Sequence, residues 1–294
     1  MKRSPERIKR IGLIGNSGKA SCAEAITRAN RLIRAAGRQI VCDAETARLA
    51  KLRCHVLPGA ADLAREVDLL LVFGGDGTLL RVAREIAGSQ TPLLGINIGA
   101  LGFLTAVPSG ELSRALKHVW KGEFKFEARA LLEARAQCRD KQMVQTALND
   151  FVISRGIASR LIELHVSIDG EPLTRYRCDG LIVSSPTGST AYSLAAGGAV
   201  VFPTAEVLQL TPICPHTLSN RSLVLPLTSS IAVQVVNPTP ITILSADGQV
   251  VSELAAGDRI LIRSSRRTVQ LMHLEGSSFF ETLRVKLHWR GANI

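Results

Sequence analysis

Apolar positions in the first 120 residues recur at two different periods. Short, almost continuously apolar runs at Ile11–Ile14, Ile40–Cys42, Val67–Phe73 and Leu93–Ile98 read as strands buried on both faces. Helical spacing lies between them. It appears at Ala25, Ile26, Ala29, Leu32, Ile33 and Ala36, again from Leu79 to Ala87, and again from Leu112 to Trp120. Gly37, Gly88 and Gly122 follow these three segments, where helices stop. Alternating strand and helix signals predict a parallel sheet with helices on both faces.

The period changes near Gly122. Ile162, Leu164, Val166 and Ile168 alternate with Glu163, His165 and Ser167, and Asp169-Gly170 supplies a hairpin turn. A second turn, Asp247-Gly248, separates Ile241–Leu244 from Val250–Val251. Ile260–Ile262 and Val269–Leu274 read as further strands. Helical spacing returns at Phe279, Phe280, Leu283 and Leu287, within Phe279–Trp289. The division expected is therefore an α/β domain over 1–123, a β-rich domain over 124–276 and a C-terminal helix over 277–294.

Composition narrows the class. The 294 residues are 46% hydrophobic, enough for a packed core, and the length suits two domains. No apolar run approaches the ~18–20 residues that span a bilayer. The basic stretch Met1–Arg10 leads into no signal-peptide core. These features predict a cytoplasmic protein with no membrane partner. Cys22, Cys42, Cys54, Cys138, Cys178 and Cys214 are scattered without a ligand cluster, and are read as reduced, mostly buried thiols. The net charge of +11 is spread along the chain, and aromatics are only 4%. That pattern argues against a nucleic-acid partner and suits attraction of polyphosphorylated ligands.

The sharpest chemical feature is Gly74-Gly75-Asp76-Gly77-Thr78, between a buried strand and a helix start. Open α/β sheets bind ligands at that edge. Glycines let backbone N–H groups approach phosphate oxygens, and a helix N-terminus adds positive potential. A carboxylate inside such a loop can accept a proton from an attacking hydroxyl, or bind a metal that bridges phosphates. Two similar patterns fail. Gly12 to Gly18-Lys19-Ala20 has five residues between its glycines where a Walker A loop has four, and Ala20 replaces the Ser/Thr. Gly95, Gly99 and Gly102 miss the dinucleotide fingerprint spacing. Three more blocks carry polar chemistry: Asn97–Thr105, Leu148-Asn149-Asp150, and the long run Asp179–Gly198, in which Tyr192 can stack on a purine.

In order and spacing these four blocks resemble the NAD kinase family: Gly-Gly-Asp-Gly-Thr, Asn-x-Gly-x-x-Gly-Phe-Leu, Asn-Asp, and Asp-Gly-x-x-x-x-x-Pro-Thr-Gly-Ser-Thr-Ala-Tyr. The likeness runs from Ile11 through the last helix. It implies a Rossmann-like α/β domain followed by a β-rich domain, with the last helix packing back on the first. It also implies NAD bound between domains, ATP as phosphoryl donor, Mg²⁺ or another divalent metal, and a homo-oligomer, dimer or tetramer. Asp76 corresponds to the family's catalytic base. Gly74, Gly75, Gly77 and Thr78, with Arg81 and Asn97, fall at the nucleotide. Asn149 and Asp150 match a ligand-binding pair that is often Asn-Glu. Arg160, Arg177, Asp179, Thr187, Thr190, Ala191, Tyr192, Ser193, Leu194, Ala195 and Gln249 match NAD-contacting positions. Two alternatives stand beside this reading: a lipid or small-molecule kinase sharing the loop, and a nucleotide sensor without turnover.

Overall fold

The computed structural model describes residue 6 and residues 8–105, 107–138, 141–156, 160–216, 221–236 and 241–289. Most of the basic N-terminal stretch and the Cys138 side chain lie outside these. The chain divides into two compact units, unit 1 (Met1–Ala128 with Val269–Ile294) and unit 2 (Arg129–Thr268).

Unit 1 alternates strand and helix, as the two periods predict. Its elements are β1 (Arg10–Gly15), α1 (Ala20–Ala35), β2 (Gln39–Asp43), α2 (Ala44–Leu49), β3 (His55–Leu57), α3 (Ala60–Glu66), β4 (Leu69–Gly74), α4 (Asp76–Glu85), β5 (Leu93–Asn97), β6 (Val107–Pro108) and α5 (Leu112–Lys121). The strands pair in parallel in the order β6-β5-β4-β1-β2-β3. All six residues of β4 are buried, so its apolar run faces core on both sides. On α1 the buried residues Cys22, Ala25, Ile26, Ala29 and Ile33 follow helical spacing, and on α5 Leu112, Ala115, Leu116 and Val119 do. These stripes join Leu13, Leu71, Phe73 and Ile96 in one core. Each large apolar side chain buried there is worth roughly 1.5–3 kcal/mol. Gly122 takes the left-handed conformation that ends α5.

Unit 2 is antiparallel. Its strands are β7 (Phe124–Cys138), which starts in unit 1, β8 (Lys141–Ala147), β9 (Asp150–Arg155), β10 (Ile162–Ile168), β11 (Glu171–Cys178) and β12 (Gly180–Ser184). After the single-turn helix α6 (Tyr192–Ala195) come β13 (Val207–Ile213), β14 (Leu223–Pro226), β15 (Ser230–Val235), β16 (Thr242–Ala246), β17 (Gln249–Leu254) and β18 (Arg259–Leu274). One sheet runs β11-β10-β15-β18, the other β14-β13-β12-β9-β16-β17, and β7 pairs with β8. Inward residues including Phe151, Leu164, Val183, Leu208, Leu244 and Ile260 form the core. Asp169-Gly170 and Asp247-Gly248 both have positive φ at each residue, as two-residue hairpin turns need. The chain ends in unit 1 with α7 (Phe279–Lys286).

Four features differ from the expected elements. The segments expected at Ile260–Ile262 and Val269–Leu274 are one strand, because the polar run Ser264–Arg267 interrupts the hydrophobic pattern without ending β18. Helix α4 begins at Asp76, three residues before its apolar stripe. The last helix stops at Lys286, short of Trp289. Helices α2 and α3 are too short to show periodicity, although Asp43 caps α2 by accepting from Thr46 N at 2.7 Å. Of the cysteines whose side chains are described, all are free thiols; Cys22, Cys42 and Cys178 are buried, Cys54 is half-buried and Cys214 is exposed.

Candidate functional site

In unit 1 the loops that follow β1, β4 and β5 all leave from the carboxyl edge of the parallel sheet. The Gly74–Thr78 segment turns from β4 directly into α4. Gly75 is the residue before the helix, in extended conformation and with no side-chain cap. Thr78 is buried, and its hydroxyl accepts from Asn16 Nδ2 at 3.2 Å, which ties the β1 loop to the glycine loop. A Cβ placed on Gly75 or Gly77 would meet open space. The fold itself makes no demand for glycine at these two positions, which leaves room for a ligand to approach the backbone. Lys19, at the start of α1, donates from Nζ to Ile98 O at 3.2 Å. Its segment fails the Walker pattern yet brings an ammonium to this edge. Arg81 is paired with Glu85 along α4 at 2.9 Å.

Asp76 is held by the turn that follows β5. Its Oδ2 accepts from Phe103 N at 2.8 Å. Its Oδ1 accepts from Leu104 N at 3.1 Å, Thr105 N at 3.0 Å and Thr105 Oγ1 at 2.9 Å. Gly102 permits this approach, because a Cβ there would lie 2.0 Å from Asp76 Oδ1. Asn97 is buried, and its Nδ2 donates to both Ala100 O and Thr105 Oγ1 at 2.8 Å. Its Oδ1 is buried with no hydrogen-bond partner among the described residues. The second sequence block therefore converges on Asp76. A cavity of about 380 Å³ lined by Leu101, Leu104, Arg114 and Val285 also lies in unit 1, and none of the residues singled out by the motifs as binding or catalytic lines it.

In unit 2 the organising group is Asp247, in the second hairpin turn. Its carboxylate accepts from Leu148 N at 3.1 Å, Asn149 N at 2.7 Å and Asp150 N at 3.3 Å. Asp247 N donates back to Asp150 O at 3.0 Å. Ser185 N donates to Asn149 O at 2.8 Å, and Gly188 passes so close that a Cβ would lie 2.1 Å from that oxygen. Asn149, Asp150 and the Ser185–Gly188 turn thus form one corner. Asp150 is only 3% exposed, and burial first, then the charge of Asp247, pushes its carboxyl up to about 7. Thr187 Oγ1 accepts from the buried Arg129 at 3.3 Å, and Thr190 Oγ1 donates to Thr187 O at 3.3 Å.

The run from Thr190 to Ala195 is divided by burial. Ser193 is fully buried, with Oγ 2.9 Å from the Gln209 amide and 2.9 Å from Thr211 Oγ1. That inward anchor leaves Ala195 and Tyr192 exposed, Tyr192 at 47%, while Ala191 and Leu194 are half-buried. Gln249 is exposed at the start of β17, immediately after the Asp247 turn. Asp179 pairs with Arg155 at 2.7 Å between β11 and β12. Arg177 is exposed on β11, in a different sheet from β9 and its Asp150, and Arg160 is exposed just before β10.

The second block contains Phe103 and Thr105 but gives neither a role, and the motifs did not single out Arg155 or Asp247. Asp247 was visible only as the first residue of an Asp-Gly turn. Among the described residues, no group of three or more His, Cys, Asp or Glu side chains is clustered to hold a metal. Among them also, no helix is long and apolar enough to cross a membrane.

Comparison with known proteins adds the family. A family model described as the ATP-NAD kinase N-terminal domain matches residues 11–124, and one described as the ATP-NAD kinase C-terminal domain matches residues 148–274. An NAD kinase of Ralstonia nicotianae is 40% identical over 284 residues, covering 96% of this chain and 93% of that protein. An NAD kinase of Syntrophotalea carbinolica is 45% identical over 224 residues, 76% of this chain and 79% of that protein. The crystal structure of yeast NADH kinase complexed with NADH superposes with a TM-score of 0.88 at 28% identity, covering 98% of this chain and 90% of that one. An NAD kinase from Archaeoglobus fulgidus in complex with ATP gives a TM-score of 0.72 at 26% identity, covering 96% and 100%.

Proposed function

This chain belongs to the NAD kinase family, and we propose that Asp76 is the general base of its reaction. The activity is transfer of a phosphoryl group from a donor such as ATP to the adenosine ribose 2′-hydroxyl of NAD, giving NADP. The lipid-kinase and non-catalytic readings find no support beside relatives of this length and identity.

The observation that carries the proposal is a carboxylate at the mouth of a glycine loop whose two flanking glycines face open space. Backbone N–H groups of Gly75 to Gly77, at the start of α4, receive the donor's phosphate oxygens. Lys19 adds positive charge at the same edge. Asp76 takes the proton of the 2′-hydroxyl as the new O–P bond forms. The donor's terminal P–O bond breaks, and its electron pair leaves with the diphosphate. A placed base contributes about 10²- to 10⁴-fold, and alignment supplies much of the rest. NAD is recognised by the Asn149–Asp150 corner, by Thr187 and by the exposed face of Thr190–Ala195, with Tyr192 against the adenine. Arg160, Arg177, Asp179 and Gln249 are assigned to NAD on the family resemblance alone.

The donor set fits Mg²⁺ carried on phosphates. Such ions are commonly held by one or two carboxylates plus the substrate's own oxygens, not by an all-protein cage. Phosphates seated on the glycine loop would carry the ion there, where Mg²⁺ would neutralise phosphate charge while Asp76 keeps its open oxygen for the proton. We further propose that the enzyme is a cytoplasmic homo-oligomer, as the family resemblance implies. Incubating the protein with NAD or NADH, ATP and Mg²⁺, and reading the product with an NADP-specific dehydrogenase, tests the function. NADP accumulation with turnover is expected. Binding of NAD with no product would overturn it.

A further inference from the structure

We infer that Thr105 is a positioning residue whose hydroxyl locks the Asp76 carboxylate in the orientation that presents Oδ2 to the proton. The inference rests on the reading of Asp76 as base. A carboxylate offers about four acceptor sites, two on each oxygen. Oδ1 already accepts three hydrogen bonds, from Leu104 N, Thr105 N and Thr105 Oγ1, whereas Oδ2 accepts one, from Phe103 N. The open lone pair is on Oδ2. A hydroxyl can point its hydrogen either way, but here the choice is made by Asn97. Asn97 Nδ2 donates to Thr105 Oγ1, so that oxygen acts as acceptor toward Asn97 and must donate toward Asp76. Ala100 O, which can only accept, identifies the facing end of the Asn97 side chain as its nitrogen. Thr105 is fully buried and Asn97 almost so, and a Cβ on Gly95 would lie 2.9 Å from both Thr105 Cα and Cγ2. The threonine therefore has little freedom to turn away. Leu104 N and Thr105 N already occupy Oδ1 and leave Oδ2 open, and the chain Asn97 to Thr105 to Asp76 adds a third bond that locks the carboxylate in that orientation.

Thr105→Val removes the hydroxyl and nearly keeps the shape. A hydrogen bond to a charged group contributes enough that kcat should fall about 10- to 100-fold. The KM for NAD should stay within about twofold, because only the transition-state alignment is lost. Thr105→Ser keeps the hydroxyl and should recover most of the activity. The decisive comparison is a double-mutant cycle. In an Asp76→Asn background, Thr105→Val should change kcat by less than about twofold, since there is no carboxylate left to position. If Thr105→Val fails to fold by circular dichroism and melting, Thr105→Ala takes its place in the same cycle. Folded Thr105→Val with kcat within about twofold of the parent would overturn the inference, as would an equal loss in both backgrounds. Near-normal turnover of Asp76→Asn alone is a different outcome, and it removes the base reading beneath the inference.

Discussion

Replacing Asp150 by Asn should make unit 2 less sensitive to pH, and the size of the effect follows from the structure. Asp150 is 3% exposed, and its carboxyl is raised from 3.8 to about 7, first by burial and then by Asp247. The folded protein therefore binds this proton more tightly than the unfolded chain does. The contribution is fully present below the unfolded value of 3.8 and is lost as pH rises through about 7. Each pH step between those two values corresponds to about 1.4 kcal/mol, so the loss across that window has a ceiling of about 4 kcal/mol. Asn has the same shape and no proton to lose. Thermal melting of both proteins at pH 5, 6, 7 and 8 isolates this contribution, because all other titrating groups are shared. The parent should lose Tm steadily from pH 5 to 8 relative to Asp150→Asn, with little further divergence above pH 8. Parallel Tm profiles for the two proteins would refute the assignment of a raised carboxyl to Asp150.

Two further substitutions test individual roles. Gly75→Val should fold, since its backbone is extended and its Cβ would meet nothing. It should raise the KM for ATP at least about 10-fold, with smaller change for NAD, and unchanged ATP kinetics would remove the phosphate-binding role of the loop. Tyr192→Ala should weaken NAD binding by an amount near the roughly 1–3 kcal/mol of base stacking, while Tyr192→Phe keeps most of the affinity. Isothermal titration of both folded variants settles this, and parent-like affinity in Tyr192→Ala would exclude stacking as a main source of binding.

The legible parts of this protein are those whose signal is local. The run at β4, the stripe on α1 and the two Asp-Gly turns each specify their element within a few residues. The glycine loop was equally visible, because backbone access to a ligand shows directly as missing side chains. The contacts that complete the site are not local. Thr105 meets Asp76 across 29 residues, and Asp247 meets Asn149 across 98. Only the order of β5 beside β4, and of β16 beside β9, brings these groups together. Ser193 shows the converse. It sits inside the most specific motif, yet its hydroxyl points inward to Gln209 and Thr211, a direction the motif does not reveal. The unbroken course of β18 was hidden for a third reason. Its exposed polar middle carries no alternation to read.

The central claim is that the Asp76 carboxylate takes the proton from the ribose hydroxyl. Steady-state turnover of Asp76→Asn with NAD, ATP and Mg²⁺, followed as NADP, tests it most directly. The side chain keeps its size and its amide oxygen can still accept from Leu104 N and Thr105, although its nitrogen cannot accept from Phe103 N, so the fold and NAD binding should persist with some loss of stability. A general base at this position predicts a kcat about 10²- to 10⁴-fold below the parent, in a variant that stays folded at the assay temperature. Turnover within about threefold of the parent in the folded variant would contradict it, because too little of the catalysis would then depend on a base at this position.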